Sequence, residues 1–336
     1  MAITGYVYDK RYLLHDPGPG HPERPDRLRA IQRRVVFSGL IKQIILIEPY
    51  EAPLAWIEKL HDYHYIERFR TACQQGRTFL DEADNGIGAA SFDVARLAVG
   101  GVFAACDAMM QGVVQNAFCA VRPAGHHAER AQARGFCFFN NVALGAKYLQ
   151  EKYGLEKIAI VDWDAHHGNG TQHLLEEDPA FLYISLHEDP SVCYPGTGWK
   201  SERGRGAGVG YTLNFPFPSY SRDPEYLKVM DEEVLPALKK FRPDCLMISA
   251  GFDGHALDPM SRLRLSDKAY MIMGGLLVGF AREFCQGRVI SVLEGGYNLE
   301  VLEDCVFDHI QILNRPWPQG RRGQGSKERP AFTLLL

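Results

Sequence analysis

What this chain of 336 residues lacks narrows its class before any motif is read. It has no Cys-x-x-Cys pair. Its eight cysteines (Cys73, Cys106, Cys119, Cys137, Cys193, Cys245, Cys285 and Cys305) are scattered, several inside apolar runs, as expected of buried free thiols in a reducing compartment. No apolar run reaches the roughly 18 residues of a membrane span. The N-terminal stretch looks like a first strand, not a charged segment leading into an apolar export signal. Basic charge is not in excess: the net charge is −4, which argues against a general nucleic-acid binder. There is no internal repeat and no convincing linker before residue 314. With 46% hydrophobic and 23% charged residues, the expectation is a soluble cytoplasmic protein with no nucleic-acid or membrane partner.

What is present is alternation. Strands are expected at Ile3–Tyr8, Ile44–Ile47, Ala117–Val121, Ile158–Asp162, Phe181–Leu186, Tyr211–Phe215, Cys245–Ala250 and Val289–Leu293. Between and after them, helical spacing runs over Arg27–Leu40, Trp56–Arg70, Phe92–Met110, Asn141–Lys152, Thr171–Glu177, Pro224–Phe241, Asp267–Cys285 and Leu299–Leu313. Strands alternating with helices imply parallel βαβ units in one doubly wound α/β sheet. A single folded domain is placed at residues 1–313. The remainder, 314–336, contains a Gly-rich basic stretch (Gly320–Pro330) and is expected to be flexible in part.

The chain is organised around Ile158–His173, I-A-I-V-D-W-D-A-H-H-G-N-G-T-Q-H. Four apolar residues and a closing Asp162 suit a buried parallel strand. Beyond it, Asp162, Asp164 and His166 share one side if the extended conformation persists, because alternate residues of an extended chain face the same way. Carboxylates and an imidazole gathered at a strand's C-terminal end suit a divalent metal. The plain alternative, a solvated polar strand end, is costly beside a buried strand. His167 points to the opposite side from His166, and His173 falls in the following helix, so both are read as structural.

Three other strands also end in polar clusters: His126-His127, Asp253, and Glu294–Tyr297. Ligands of open α/β sheets bind at such ends. Asp164, His166 and Asp253 would leave coordination positions for water and a substrate oxygen. His126-His127 can move protons near neutral pH. Gly295-Gly296 lets the chain bend so that the Tyr297 hydroxyl can reach a polarised carbonyl. Taken alone, a histidine pair or a tyrosine after two glycines is as readily explained by packing. G-R-G-A-G-V-G at 204–210 resembles a phosphate loop but leads into a strand, not a helix, and is discounted.

At these residues the chain resembles the histone deacetylase/acetylpolyamine amidohydrolase family. The matches, in order, are H-P-E-R-P-D-R (21–27), R-P-A-G-H-H-A (122–128), G-F-C-F-F-N-N (135–141), D-W-D-A-H-H-G-N-G-T-Q (162–172), S-A-G-F-D (249–253) and E-G-G-Y (294–297). The D-W-D-A-H-H-G-N-G form is similar to the class II branch and its bacterial relatives. The resemblance implies a single three-layer arginase/deacetylase-like domain with a central parallel sheet of about eight strands flanked by helices. It also implies a zinc-dependent amide hydrolase. By position, Asp164, His166 and Asp253 hold Zn²⁺. His127 is the general base and then acid, while His126, paired with Asp162, gives electrostatic support. Asn169 stands where other branches carry a second carboxylate, leaving His127 less basic. Tyr297 hydrogen-bonds the acyl oxygen. Gly135, Phe136, Tyr194 and Met260 line the substrate tunnel, and Arg27 lies near the acetate exit. Asp162, Asp164, His166, Ser185 and Leu186 match a structural K⁺ site, and Leu175, Asp178, Phe181 and Tyr211 match a second.

The expected substrate is an acyl-lysine protein or peptide, with an acetylpolyamine as the alternative and a homo-oligomer possible. Arginase-type hydrolysis, on the same fold, needs a second metal held by aspartates where this chain has Gly168 and Gly251. A non-catalytic acyl-lysine reader is argued against by intact His126, His127 and Tyr297. Met260 matches the place where one polyamine-selective branch carries a carboxylate, and methionine gives a second ammonium no counter-charge. Acids in loops 73–91 and 188–206 (Asp81, Glu82, Asp84, Glu188, Asp189) are the other candidates for that contact.

Overall fold

A computed structural model describes residues 3–316, so nearly all of the expected C-terminal tail lies outside the described residues. All eight expected strands form, and they join into one sheet: β1 (Thr4–Val7), β2 (Ile45–Ile47), β3 (Asn116–Cys119), β4 (Ile158–Asp162), β5 (Phe181–Glu188), β6 (Thr212–Phe217), β7 (Cys245–Ala250) and β8 (Val289–Leu293). Their order is β2-β1-β3-β8-β7-β4-β5-β6, and every pairing is parallel. Strands buried on both faces need continuous apolar sequence. Cys245–Ala250 and Val289–Leu293 supply it, with every residue buried.

Chain order and sheet order diverge at one place. The last two strands, β7 and β8, insert between β3 and β4, so four neighbouring strands are β3, β8, β7 and β4. Their C-terminal ends are the four polar clusters of the sequence. Topology alone brings residues about 120, 160, 250 and 290 to one edge, where α/β sheets bind ligands.

Two expectations need correction. Trp56–Arg70 is not one helix but two, Leu54–Ile57 and Tyr63–Gln74. Asp62 breaks it: its carboxylate accepts from the His64 and Tyr65 amides, at 2.8 and 3.3 Å, and so caps a new helix start. Pro224–Phe241 spans one helical segment (Asp223 to Phe241), but with a π-helical turn at Met230–Val234. Pro236 follows this turn and has no N–H for an ordinary helical bond, which accounts for the wider turn. A short hairpin, Phe79–Leu80 with Glu82–Gly86, had no clear sequence signal.

The H-P-E-R-P-D-R loop is fastened from inside. Glu23 is fully buried and accepts from Arg122 at 2.8 and 3.0 Å and from Arg27 at 3.1 Å. Burial opposes its charge, but the two guanidiniums outweigh that and hold the carboxyl well below the ordinary range. Arg122 also donates to the carbonyls of Tyr12 and His15 at 2.8 Å each.

His61, almost wholly buried, is held neutral in a similar way. Its Nδ1 faces the Glu129 carbonyl at 2.9 Å and its Nε2 accepts from the Asn140 amide at 2.9 Å, so a second ring proton would displace an N–H donor. Burial is the main cause that pushes its pKa down to about 4. A folded pKa below the unfolded value means that the unfolded chain takes the proton first as pH falls. Stability from this group is therefore full above about pH 6.5 and is lost between there and about pH 4, by about 3 kcal/mol. Denaturant melts across that window should show the loss, and His61→Gln should flatten it. Equal slopes for the two proteins would rule out His61 as its source.

Candidate active site

Beyond β4 the chain stays extended long enough for Asp164 and His166 to face the end of β7. Candidate ligand atoms of Asp164, His166 and Asp253 all lie within 4.8 Å of one another, and all three residues are buried. His166 Nδ1 is 2.9 Å from Asp253 Oδ2 and 3.1 Å from Asp164 Oδ1. The acids are aimed by backbone amides: Ala165 N–H donates to Asp253 at 2.9 Å, while His166 and Gly295 donate to Asp164 at 2.9 and 2.8 Å. Two buried carboxylates converging on one imidazole are costly without a cation. This donor set fits a divalent metal with open positions. Among the described residues it is the one such group.

The glycines nearby leave no room for more acids. A Cβ at Gly251 would fall 2.0 Å from Asp164 Oδ2, and one at Gly168 would fall 2.4 Å from Asp162 Oδ2. Aspartates holding a second metal would have to begin at those two positions.

The rings of His126 and His127 lie 4.0 Å apart between centres, tilted by 42°, yet their surroundings push them in opposite directions. His126 Nδ1 lies 3.1 Å from Asp162 Oδ2, and its Nε2 lies 3.8 Å from Asp164. Burial disfavours its charge, but Asp164 and Asp162 outweigh that and push its pKa up to about 10. His127 is lowered well below the ordinary histidine value, first by burial and then by the charges of His126 and His166. Its Nδ1 meets Asn169 Oδ1 at 2.7 Å.

Two of the four expected tunnel residues, Gly135 and Tyr194, lie against His127. The His127 and Tyr194 rings meet edge-on at 5.1 Å, and a Cβ on Gly135 would strike both His127 and Tyr194. Phe136 lies 6.1 Å from Tyr297 and 4.6 Å from His21, ring centre to ring centre. The Phe136 amide donates to Asn85 of the 79–86 hairpin at 2.9 Å. Arg27 stacks over Tyr297 at 4.9 Å and donates to the Gly296 carbonyl at 2.7 Å, which ties the expected exit to the tyrosine. Met260 is half-buried, its amide bonded to Asp258 at 3.0 Å. Of the first K⁺ set, Asp162 sits opposite Ser185 in register, Leu186 follows, and all five residues are buried. In the second set, the carbonyls of Leu175, Asp178 and Tyr211 each already accept a backbone hydrogen bond.

With this geometry in place, comparison with known proteins is direct. Residues 21–313 match the histone deacetylase domain. A probable deacetylase of Archaeoglobus fulgidus is 40% identical over 300 residues, covering 89% of this chain and 82% of that protein. A histone deacetylase-like amidohydrolase of Pseudomonas aeruginosa is 34% identical, covering 93% and 86%. The crystal structure of the HDA15 HD domain superposes with a TM-score of 0.88 at 35% identity, over 93% of this chain and 88% of that one. The chain belongs to the histone deacetylase family. The family is one of deacetylases and amidohydrolases, and the site is that of a hydrolase with the deacetylase fold.

Several residues that shape this deacetylase site had no role assigned from sequence, although Glu294 was named there as the start of a polar cluster. Glu294, buried, accepts from the Gly125 and His126 amides at 2.8 and 3.1 Å and so fixes the histidine loop from β8. Asp258, five residues after Asp253, accepts from the Tyr297 and Asn298 amides at 2.6 and 2.9 Å. The Tyr183 hydroxyl donates to Asp162 at 3.0 Å. Only an acid flanked by Leu and Pro, as Asp258 is, gave any hint, since such positions are commonly turns.

If the triad is a metal site, purified protein should carry about one divalent ion per chain by elemental analysis. Asp253→Ala or His166→Ala should remove it. Two tightly held ions per chain would contradict the single-metal reading.

Proposed function

We propose that the protein is a zinc-dependent hydrolase that removes acetyl, or another short acyl group, from acylated lysine side chains. The observation that carries this reading is the convergence of the Asp164–His166–Asp253 triad with two oppositely tuned histidines and Tyr297, beside the apolar faces of Phe136 and Tyr194. Zn²⁺ held by the triad would act as a Lewis acid on the amide carbonyl and lower the pKa of a bound water towards about 7.

The chain's own residues divide the remaining work. His127, neutral, takes a proton from water as it attacks the carbonyl carbon. It returns that proton to the nitrogen as the C–N bond breaks, releasing a carboxylic acid and a free amine. His126, charged between Asp162 and Asp164, places positive charge next to the reacting centre without taking part in transfer. This separation of two adjacent histidines by environment supports the assignment of base and electrostatic partner. The Tyr297 hydroxyl donates to the developing oxyanion, with Asp258 and Arg27 holding its backbone. A structural K⁺ bound by Asp162, Asp164, His166, Ser185 and Leu186 is part of the same proposal, supported by their contiguity.

The rim favours lysine over polyamine. Of the five acids that might meet a second ammonium, four are occupied. Asp81 pairs with Arg68 and Glu82 with Arg134, Glu188 accepts from Ser219 and the Arg262 amide, and Asp189 accepts from Ser191. Only the Asp84 carboxylate faces solvent with no bond of its own among the described residues, and Met260 adds no charge. A distal ammonium would therefore be poorly compensated, whereas acyl-lysine carries none inside the tunnel.

Two measurements test this. Tyr297→Phe should lower kcat by roughly 10²–10³-fold with zinc content unchanged, and near-normal kcat would reduce Tyr297 to packing. On one zinc-loaded preparation, kcat/KM for acetyl-lysine peptides should exceed that for acetylspermidine. A preference of about tenfold or more for acetylspermidine would reject the lysine reading and make Met260→Glu the next variant.

A further inference from the structure

The hydrogen-bond chain at His127 does not stop at Asn169. The Asn169 amide nitrogen lies 2.5 Å from Glu129 Oε1 and 3.3 Å from the His127 carbonyl oxygen. Glu129 in turn faces His173 Nδ1 at 2.9 and 3.1 Å, and His173 stands at the protein surface, 36% exposed. A line of four side chains thus runs from the buried catalytic pair to solvent: His127, Asn169, Glu129, His173.

The chemistry of the acceptors decides which way the amide points. A carboxylate and a carbonyl oxygen accept only, so the Asn169 NH₂ must face Glu129 and the His127 carbonyl. Its carbonyl oxygen is then left facing His127 Nδ1. An oxygen there can only accept, so the neutral ring carries its proton on Nδ1 and keeps Nε2 free as an acceptor. That is the tautomer a general base needs. Were the amide reversed, NH₂ would face Nδ1, the ring proton would move to Nε2, and the base would be lost.

We propose that Glu129 is a positioning residue of the reaction: by accepting from Asn169 it fixes the amide orientation and, through it, the proton of His127. His173 holds the Glu129 carboxylate in place from outside. Burial works against the Glu129 charge, but the bond to His173 keeps its carboxyl below the ordinary range, so it accepts throughout the neutral region. The inference rests on the proposed role of His127 as base. It adds a residue that touches neither metal nor substrate.

The test uses full-length, zinc-loaded protein and acetyl-lysine peptide. Glu129→Lys offers donors only, so it should turn the Asn169 amide around. kcat should fall by about 10²-fold or more, the scale for losing a placed general base, with KM little changed. Glu129→Gln keeps an acceptor oxygen and should stay within about threefold of the parent. The deciding variant is Asn169→Asp, which has no amide to orient and accepts from both sides. In the Glu129→Lys background it should recover about tenfold or more of kcat, whereas alone, against the Glu129 carboxylate, it should be harmful. Glu129→Ala, a truncation at a half-buried position, replaces the lysine variant if that one does not fold, with an expected loss of about tenfold.

Parental kcat in both Glu129→Lys and Glu129→Ala would overturn the proposal, as would a loss that Asn169→Asp fails to recover. Imidazole ¹⁵N shifts give a readout independent of turnover: the His127 proton should sit on Nδ1 in the parent and on Nε2 in Glu129→Lys. If the parent shows no deacylation but the tautomer moves, the lysine reading fails and the positioning role stands. If deacylation is normal and the tautomer does not move, the reverse holds.

Discussion

Four carboxylates taken wholly out of water at the C-terminal ends of neighbouring strands are the constraint on which this structure depends. Asp162, Asp164, Asp253 and Glu294 are each at most 1% exposed and follow three adjacent strands, β4, β7 and β8. Burying isolated charges of this kind costs several kcal/mol apiece even after relaxation. The fold offsets that cost with directed donors before any cation is considered. Asp164 N–H points at Asp162, Ala165 N–H at Asp253, Gly295 N–H at Asp164, and Gly125 and His126 N–H at Glu294. The donors do not offset the cost entirely. Burial and Asp164 push the Asp253 carboxyl above the ordinary range, and burial pushes that of Glu294 up to about 7. Excess negative charge at the triad is the electrostatic counterpart of a cation site.

The same constraint explains the glycines. At Gly295 a Cβ would lie 2.4 Å from Asp253 Oδ2 and 2.6 Å from Asp164 Oδ2, and at Gly251 it would lie closer still to Asp164. Side chains at these positions would displace the oxygens that define the triad. E-G-G-Y and S-A-G-F-D are thus backbone surfaces against which the acids pack, as much as carriers of Tyr297 and Asp253. The crowding also separates this site from a two-metal one, since the space a second set of acids would need is already filled.

The eight-stranded parallel sheet was legible from apolar runs because the six inner strands are buried throughout, while the edge strands β2 and β6 are partly exposed. The bounds of β4, β7 and β8 are as expected, and ends of the other strands moved by one or two residues. The helix expected at Trp56–Arg70 failed for a local reason, since an internal Asp62 competes for backbone amides more effectively than apolar spacing extends a helix. The triad and the histidine pair were legible because their residue types are costly anywhere else. The roles of Asp258, Glu294 and Glu129 were not, because an acid that orients a backbone amide or another side chain has the same sequence appearance as a solvated one. Their partners lie 39, 169 and 40 residues away; the pairing of β7 with β8 brings the first pair together, and that of β8 with β3 the second.

His126 and His127 show how far chemistry here is set by partners outside the motif. Adjacent in sequence and in contact in space, the two rings have the same intrinsic basicity. One meets Asp162 and Asp164 and takes up charge; the other, buried, meets an amide oxygen and the charged His126 ring and gives it up. Replacing a carboxylate with Asn169 beside His127 removes the anion that would otherwise have raised both rings together. With two imidazoliums competing in one dry pocket, mutual repulsion would return one of them to neutrality without specifying which. A neutral amide beside one ring and carboxylates beside the other specify it. The asymmetry that acid–base catalysis requires is thus built into the residues behind the histidines, so a change at Asn169 or Asp162 would redistribute protons without altering either ring.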